Sequence, residues 1–286
     1  MSGQLRPKLL RGLDKLREGW INDLHKLLQD YATTGDDGEV AAYLVPRSGL
    51  PGPRGNIELA QAFADAAGDV STIEPEKILS LIRRLVNISP EEAPVNDPRE
   101  FLPFCGAVAL GAVGAKCARF LEEALGRLQG LAEDPRWRMR EGVAMGLQAL
   151  LASAAGEEAF EELERWIADD QWLDMRAVAA GVAEPSLLRS EVSAKHALAL
   201  HRKIFERVLA SHNRASPGFR VLRQGLGYSL SVVVSAIPEE GFNYIRELVD
   251  TGDKDLLWVV KENLKKARLV KHYPDQVLSI RRYLRA

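Results

Sequence analysis

Residues 134–144 read DPRWRMREGVA, and this stretch decides the fold because two similar stretches follow it. Residues 170–180 read DQWLDMRAVAA, and residues 255–264 read DLLWVVKENL. Internal similarity of this kind is typical of repeat architectures, in which successive supersecondary units stack on one another. In each copy an aspartate precedes a basic residue by six positions; the three pairs are Asp134/Arg140, Asp170/Arg176 and Asp255/Lys261.

Two weaker copies extend the pattern. One keeps Arg223 as its basic residue but has Pro217 where the aspartate is expected, and the other begins at Asp97 and has Cys105 at the basic position. The basic positions 140, 176, 223 and 261 are 36, 47 and 38 residues apart, which suits a unit of two helices. We expect the aspartate to accept hydrogen bonds at the start of the second helix, and the basic residue to bond that carboxylate or the next unit's.

Apolar residues recur at three- and four-residue spacings from one end of the chain to the other, which indicates helices nearly throughout. No alternating pattern typical of strands is present, so the sequence predicts an all-α fold. A long first helix carries the stripe from Leu10 to Leu27, and another carries Ile78 to Leu85. Further helices are expected at 116–132, 136–153, 157–168, 171–182, 190–211, 218–236, 239–250, 254–269 and 274–285.

A segment rich in proline and glycine interrupts the helical pattern. Residues 43–58 hold three prolines and three glycines. Proline removes an amide donor and glycine relaxes the backbone, so no helix is expected to pass through. Asn56 is the expected N-cap of the next helix. Because such loops also serve in recognition, Arg54 and Asn56 are binding candidates.

The repeat resembles the HEAT repeat, whose units carry an aspartate in the turn before the second helix and an arginine within that helix. The resemblance implies a right-handed α–α superhelix, or solenoid, of about four to five helix pairs over residues 97–286. Residues 1–96 are then a less regular helical cap, separated from the repeats by an acidic, proline-rich break at 89–98. The shared repeat position of Trp137 places its ring in the packed interior.

Charge is unevenly distributed along the chain. Residues 61–200 carry a net charge of −9 and residues 201–286 carry +7, in a chain of formal net charge −2. The positive charge of residues 201–286 can indicate a surface that binds an anionic partner. It can equally belong to the solvent-exposed faces of amphipathic helices. The basic residues left available for binding a partner are Lys265, Lys266, Arg268, Lys271, Arg281, Arg282 and Arg285. Of these, Lys265, Arg268, Arg281, Arg282 and Arg285 are the binding candidates.

Export and membrane insertion are not expected from this sequence. Charges recur every few residues through the first twenty, so no apolar core of a signal peptide is present. The longest uncharged stretches, 101–115 and 224–238, are shorter than the ~20 apolar residues that a membrane span requires, and they read as buried helices. Two cysteines, Cys105 and Cys117, make no disulfide framework, so a cytoplasmic protein is the expectation.

The sequence carries no familiar catalytic or metal-binding motif. It has no phosphate-binding loop, no CxxC pair and no GxSxG elbow. His196 and His201 are five residues apart, about 140° around a helix, and so do not converge on one metal ion. We therefore expect no metal site and no cofactor.

These observations favour a non-enzymatic intracellular scaffold that binds a protein or peptide on the concave face of the solenoid. The alternative is a nucleic-acid-binding protein that uses the basic C-terminal repeats and resembles the HEAT-like DNA alkylation-repair glycosylases. Those enzymes hold a damaged nucleotide against tryptophans and an aspartate. In this chain the residues that would correspond to those tryptophans and that aspartate are Trp166, Trp172, Asp170 and Asp174.

A third alternative is a lyase-like or chaperone-like relative of the phycobilisome HEAT proteins. No residue of the sequence argues specifically for it.

Overall fold

The computed structural model is all-α: it is 79% helical, and the residues that it describes form 15 α-helices and no strand. It describes the backbone of residues 5–168 and 171–284, and within these ranges the side chains from residue 15 onward. The helices span Leu5–Thr34 (α1), Gly38–Leu44 (α2), Ile57–Ser71 (α3), Pro75–Val86 (α4), Phe101–Lys116 (α5), Leu121–Ala132 (α6), Trp137–Leu151 (α7), Gly156–Ala168 (α8), Trp172–Gly181 (α9), Glu191–Ala210 (α10), Pro217–Ala236 (α11), Pro238–Asp250 (α12), Lys254–Asn263 (α13), Ala267–His272 (α14) and Pro274–Tyr283 (α15).

The chain divides into two compact units, residues 1–155 and residues 156–286. In the first unit α3, α5 and α7 pack side by side as a row, and α1 packs against α3. Helix α4 packs against α3 and α5, and α6 packs against α5 and α7. This division differs from the predicted boundary between residues 96 and 97, because α3 and α4 share a core with α5.

The second unit repeats this order of packing. Helices α9, α11 and α13 form its row, in which α11 contacts both of the others. Helix α8 packs against α9, α10 packs against α9 and α11, and α12 packs against α11 and α13. Alternate helices thus share contacts within each unit, as expected if the repeating element is a pair of helices.

The proline-rich interruption near the N-terminus is confirmed. Helix α2 ends at Leu44, and α3 begins at Ile57 after an irregular segment. Asn56 is the N-cap of α3, as predicted: its side-chain oxygen accepts a hydrogen bond from the amide of Leu59 at 3.1 Å. The helix predicted at 254–269 is instead two helices, because Lys266 adopts an extended conformation (ψ 132°) between α13 and α14.

Helix α5 is buried on nearly every side, as its uncharged sequence predicts. Its close approach to α7 requires glycine. A Cβ atom built on Gly111 would lie 2.1 Å from the carbonyl oxygen of Gly146, and one built on Gly146 would lie 2.7 Å from that of Ala107. A side chain at either position would therefore force the two helices apart. In the described part of the chain, α5 included, no helix is long and apolar enough to cross a membrane.

Two buried arginines beside the start of α7 hold the loops of the first unit. Arg136 donates hydrogen bonds to the backbone carbonyls of Ile88 and Ala93 at 3.0 and 3.2 Å. Its guanidinium also pairs with the carboxylate of Asp134 at 2.7 Å. Arg136 therefore ties the acidic segment at 89–98 to the start of α7.

Arg138 ties the proline–glycine loop to the start of α7 in a similar way. It donates to the carbonyl oxygen of Gly52 at 2.6 Å, to the side chain of Asn96 at 2.9 Å and to the carboxylate of Glu100 at 2.8 Å. Arg138 and Glu100 are 3% and 0% exposed. A buried charge is tolerable only when it is paired, so each of these two residues depends on the other.

The expectation that Trp137 lies in the packed interior is wrong. Its side chain is 40% exposed, because it is the first residue of α7 and the buried stripe of that helix begins one residue later. The ring instead lies over the guanidinium of Arg138, with 4.4 Å between the guanidinium carbon and the ring centroid. Truncating Trp137 would therefore uncover Arg138 rather than open a cavity in the core.

A Gly111→Ala substitution tests the close contact between α5 and α7. We expect it to lower the free energy of unfolding by about 3 kcal/mol or more, because its Cβ would overlap the backbone of Gly146. Gly130→Ala is the matched control: it lies in α6 with no atom within 4 Å, and it should raise stability by about 0.5–1 kcal/mol. Urea unfolding measures both. Equal effects of the two substitutions would contradict the described crossing.

An Arg138→Met substitution tests the buried pair. Removing the guanidinium leaves the Glu100 carboxylate buried without a cation, so the free energy of unfolding should fall by about 3–5 kcal/mol. Replacing Glu100 by Gln in the same chain should restore part of this loss. Arg99→Met, which removes an exposed pair with Asp97, should leave the unfolding midpoint nearly unchanged. Failure of the second substitution to restore any stability would argue against the pairing.

Candidate functional site

The aspartates of the repeat lie in two different local settings. Asp134 lies in the turn before α7, where its carboxylate accepts a hydrogen bond from the backbone amide of Arg136 at 2.7 Å. Asp255 is the second residue of α13, and the N-cap there is Asp253, which accepts from the amides of Asp255 and Leu256 at 2.9 and 3.2 Å. The two aspartates are therefore not equivalent, and Asp253 occupies the capping position that was predicted for Asp255.

The basic residues of the repeat also differ from one another. Arg140 donates to the backbone carbonyl of Asp134 at 2.8 Å rather than to its carboxylate. Arg223 of α11 donates to the carboxylate of Asp255 at 2.6 Å, and this ion pair ties α11 to α13. Lys261, which the sequence assigns to the structural ladder, is exposed instead.

The second repeat pair is only partly visible, because Asp170 lies outside the described residues. Arg176 of α9 is engaged in polar contacts. Its aliphatic stem passes Gly225 of α11, where a Cβ atom would lie 3.4 Å from the Cγ of Arg176. Arg176 therefore lies where α9 meets α11.

A basic and aromatic surface lies on α11, α13 and the two helices that follow. We call it the basic–aromatic face. Its two aromatic members are Tyr228, which is 51% exposed, and Trp258, which is half-buried. Its basic members are Arg223, Lys261, Lys265, Lys266, Arg268 and Arg281.

Trp258 links α13 to α11 within this face. The guanidinium carbon of Arg223 lies 4.5 Å from the centroid of its indole ring, a cation–π distance. The same ring lies against Gly227 of α11, where a Cβ atom would come within 3.2 Å of Cζ3. The absence of a side chain at Gly227 therefore permits the ring to lie so close to α11.

Tyr228 contacts two cations of the segment around α14. Its hydroxyl accepts a hydrogen bond from Nη2 of Arg268 at 2.6 Å, and the guanidinium carbon of that residue lies 4.6 Å from the ring centroid. The ammonium of Lys266 lies 5.6 Å from the same centroid. Sequence reasoning missed Tyr228 because it falls inside the uncharged stretch 224–238, which reads as a buried helix.

The basic–aromatic face has a surplus of positive charge. Its six cations stand against two carboxylates: Asp255, which pairs with Arg223, and Glu262, which pairs with Lys265. Arg281 donates to the carbonyl oxygen of Leu264 at 2.8 Å and so lies at the C-terminal end of α13. Next to it is a cavity of about 670 Å³ lined by Trp258, Lys261, Glu262, Leu264, Lys265, Arg281 and Leu284.

The remaining basic candidates near the C-terminus are not part of this face as described. Arg282 follows Arg281 on α15 but lines a different depression, together with Asp250 of α12 and Asp275. Successive residues of a helix point about 100° apart, which accounts for the separation. Arg285 lies outside the described residues. The structure thus brings Lys265 and Arg281 to one cavity, places Arg268 against Tyr228, and leaves Arg282 in a different depression.

The binding candidates of the proline–glycine loop lie in the first unit. Arg54 is exposed and pairs with Glu58 at 3.5 Å. Asn56 caps α3 with its side-chain oxygen and donates from Nδ2 to the carbonyl oxygen of Arg47 at 3.0 Å. Both polar atoms of the Asn56 side chain are therefore hydrogen-bonded within the loop and the start of α3.

The tryptophans and aspartates named for the glycosylase alternative do not form an open aromatic pocket among the described residues. Trp166 is 1% exposed, so its ring cannot stack on a nucleotide. Trp172 is packed edge-on against Phe219 at 5.3 Å between centroids, and its indole nitrogen donates to the carbonyl oxygen of Asn213 at 3.2 Å. Asp174 is buried in the first turn of α9.

His201 and Ser229 form a buried pair that resembles a nucleophile and its base only in composition. Nε2 of His201 lies 2.9 Å from the Ser229 hydroxyl, and Nδ1 lies 2.8 Å from the carbonyl oxygen of Ala197. His201 is 0% and Ser229 2% exposed, so no substrate can reach them. Burial lowers the pKa of His201 to about 4, which keeps the ring neutral. Within the described ranges no cluster of His, Cys, Asp and Glu is arranged to hold a metal ion.

Comparison with known proteins identifies no relative. No family model, no curated protein and no solved structure matches the chain. The resemblance to HEAT repeats therefore rests on the repeat residues, and membership of that family stays an expectation.

The buried histidine predicts how stability depends on pH. The pKa of His201 is below the ~6.5 of a free imidazole, so the unfolded chain binds a proton that the folded chain refuses. This contribution is intact above pH 6.5 and is lost as the pH falls towards 4. Between pH 7 and pH 5 it amounts to about 2 kcal/mol.

Urea unfolding of the native chain and of a His201→Gln variant measures this dependence. Glutamine can still hydrogen-bond Ser229 but does not titrate, so the stability difference between the two proteins should shrink by about 2 kcal/mol from pH 7 to pH 5. A constant difference across this range would show that His201 is accessible to protons in the folded chain.

Proposed function

We propose that this protein is a non-enzymatic α-helical scaffold of the HEAT-like solenoid type, which binds an acidic segment of a partner protein on its basic–aromatic face. In this proposal, helix pairs continue along the chain as a right-handed solenoid, and the row of α9, α11 and α13 presents the face on its concave side. The proposal gives a binding role to the residues that the packing of the helices leaves exposed.

The order of helix packing supports the solenoid part of the proposal. Within each unit, alternate helices form a row and the intervening helices pack against successive members of that row. A single helix pair cannot bury its apolar stripe, so such pairs are stable only when stacked. The pairing of Arg223 with Asp255 across neighbouring row helices is the kind of contact that sets the register between repeats.

The observation that carries the binding proposal is the exposure of aromatic rings and cations on one surface. Tyr228 is a large ring left 51% exposed, and Lys261 projects beside Trp258 with no ion pair to the described residues. Exposed aromatic rings and arginines are enriched where proteins bind one another. The surplus of positive charge makes an acidic segment the complementary ligand.

The same surface favours a peptide over a nucleic acid. Tyr228 and Trp258 each have a guanidinium of this chain lying over the ring, which occupies part of the surface that a base would stack on. Leu264 and Leu284 contribute apolar walls to the cavity, which suit the aliphatic side chains of an acidic, amphipathic segment. The ring of Trp166 is buried, so it cannot contact a nucleotide as the glycosylase alternative requires.

A charge-reversal experiment tests the proposed ligand. The probe is a fluorescein-labelled synthetic peptide of about a dozen residues in which glutamates alternate with leucine and phenylalanine. Lys261→Glu combined with Arg268→Glu should weaken its binding at least about tenfold in fluorescence anisotropy, because both changes replace attraction by repulsion. Affinity for the native protein should also fall as salt is added.

The control makes the same change in net charge on the first unit. Lys26→Glu combined with Lys77→Glu alters exposed lysines of the first unit and should leave the affinity nearly unchanged. Equal losses in the two double variants would show that only net charge matters and would overturn the proposed face. Tighter binding of a labelled single-stranded DNA, abolished by the same reversal, would identify a nucleic acid as the ligand instead.

A further inference from the structure

The cavity between α13 and α15, which belongs to the basic–aromatic face, is lined by three cations and an aromatic ring. Its volume of about 670 Å³ is in the range of small-ligand sites. Cations approach it from two elements: Lys261 and Lys265 from α13 and the turn after it, and Arg281 from α15. The indole of Trp258 forms an aromatic wall. An anionic group that enters the cavity therefore meets three positive side chains.

The donors of these side chains are suited to a group that carries more than one negative charge. Arg281 uses Nη2 for the carbonyl of Leu264, and its remaining guanidinium hydrogens have no acceptor among the described residues. Lys261 is exposed and has no ion pair with the described residues. A phosphate monoester carries nearly two charges and three acceptor oxygens, whereas a carboxylate carries one charge and two oxygens.

Glu262 limits what the cavity accepts. Its carboxylate lines the same wall and pairs with Lys265. A ligand must therefore draw Lys265 away from Glu262 or bind beside the pair. A dianion attracts the ammonium of Lys265 more strongly than a single carboxylate does, and Glu262 repels it more strongly as well. The three cations and Glu262 together leave the lining with a net charge of +2, which a phosphate dianion balances and a single carboxylate does not.

We infer that this cavity binds the phosphate of a phosphorylated serine or threonine in the acidic segment of the partner. This inference rests on the proposed function and specifies the ligand of the same face. Lys261 and Arg281 contact the phosphate oxygens, Trp258 packs against the neighbouring part of the ligand, and Leu264 and Leu284 contact its aliphatic atoms. Phosphorylation of the partner then controls its attachment to this protein.

The experiment compares three versions of the labelled acidic peptide with the full chain. One has a central phosphoserine, one has glutamate there, and one has two central glutamates, so that its charge matches that of the phosphopeptide. We expect the phosphopeptide to bind at least about tenfold more tightly than the charge-matched peptide. Lys261→Gln should remove most of this advantage, whereas Lys254→Gln, at the exposed opposite end of α13, should preserve it.

The position of the phosphate is read from the indole N–H signal of Trp258 in a ¹H–¹⁵N spectrum, assigned with a Trp258→Phe variant. It should shift more with the phosphopeptide than with the charge-matched peptide. If the phosphopeptide and its charge match bind equally, the phosphate site is wrong and the acidic-segment proposal stands. If no acidic peptide binds, both fail. A phosphate preference that persists in Lys261→Gln and leaves the Trp258 signal unmoved would place the phosphate outside this cavity.

Discussion

The close approach of neighbouring row helices is the constraint on which both units depend. Between α5 and α7 it requires bare backbone, because Gly111 and Gly146 leave no room for a Cβ atom. Between α11 and α13, the absence of a side chain at Gly227 leaves room for the ring of Trp258. In the first case the result is a closely packed core. In the second, an aromatic ring lies partly at the surface beside the cations of the basic–aromatic face, so the requirement that builds the fold also shapes the candidate site.

Most of the secondary structure could be predicted from the sequence, because hydrophobic periodicity and capping are local signals. Asn56 marks the start of α3 by a side chain that reaches only three residues along the chain. The break at Lys266 could not be predicted in the same way, since the apolar spacing continues through it. The place of Trp137 was mistaken because the repeat aligned it with Trp258 by spacing from an aspartate. The aligned aspartates Asp134 and Asp255 stand at different distances from the starts of their helices.

The candidate site was predictable only in part, because it depends on contacts between residues far apart in the chain. Lys265, Arg268 and Arg281 were recognisable as a surplus of charge in the last third of the sequence. The contact of Arg268 with Tyr228 depends on how α14 packs against α11, which no local pattern reveals. Likewise, Arg281 and Arg282 line different depressions because of the orientation of α15, although the two residues are identical in type and adjacent in sequence.

The buried arginines near the start of α7 have a consequence for the order in which the first unit assembles. Arg138 reaches the carbonyl of Gly52 across a sequence separation of 86 residues, and Arg136 reaches residues more than forty positions earlier. Closing such long stretches of chain before a core exists is entropically unfavourable. We therefore expect the two irregular loops to reach their final conformation late, after α5 and α7 have met, so that ordered loops mark a completed helical core.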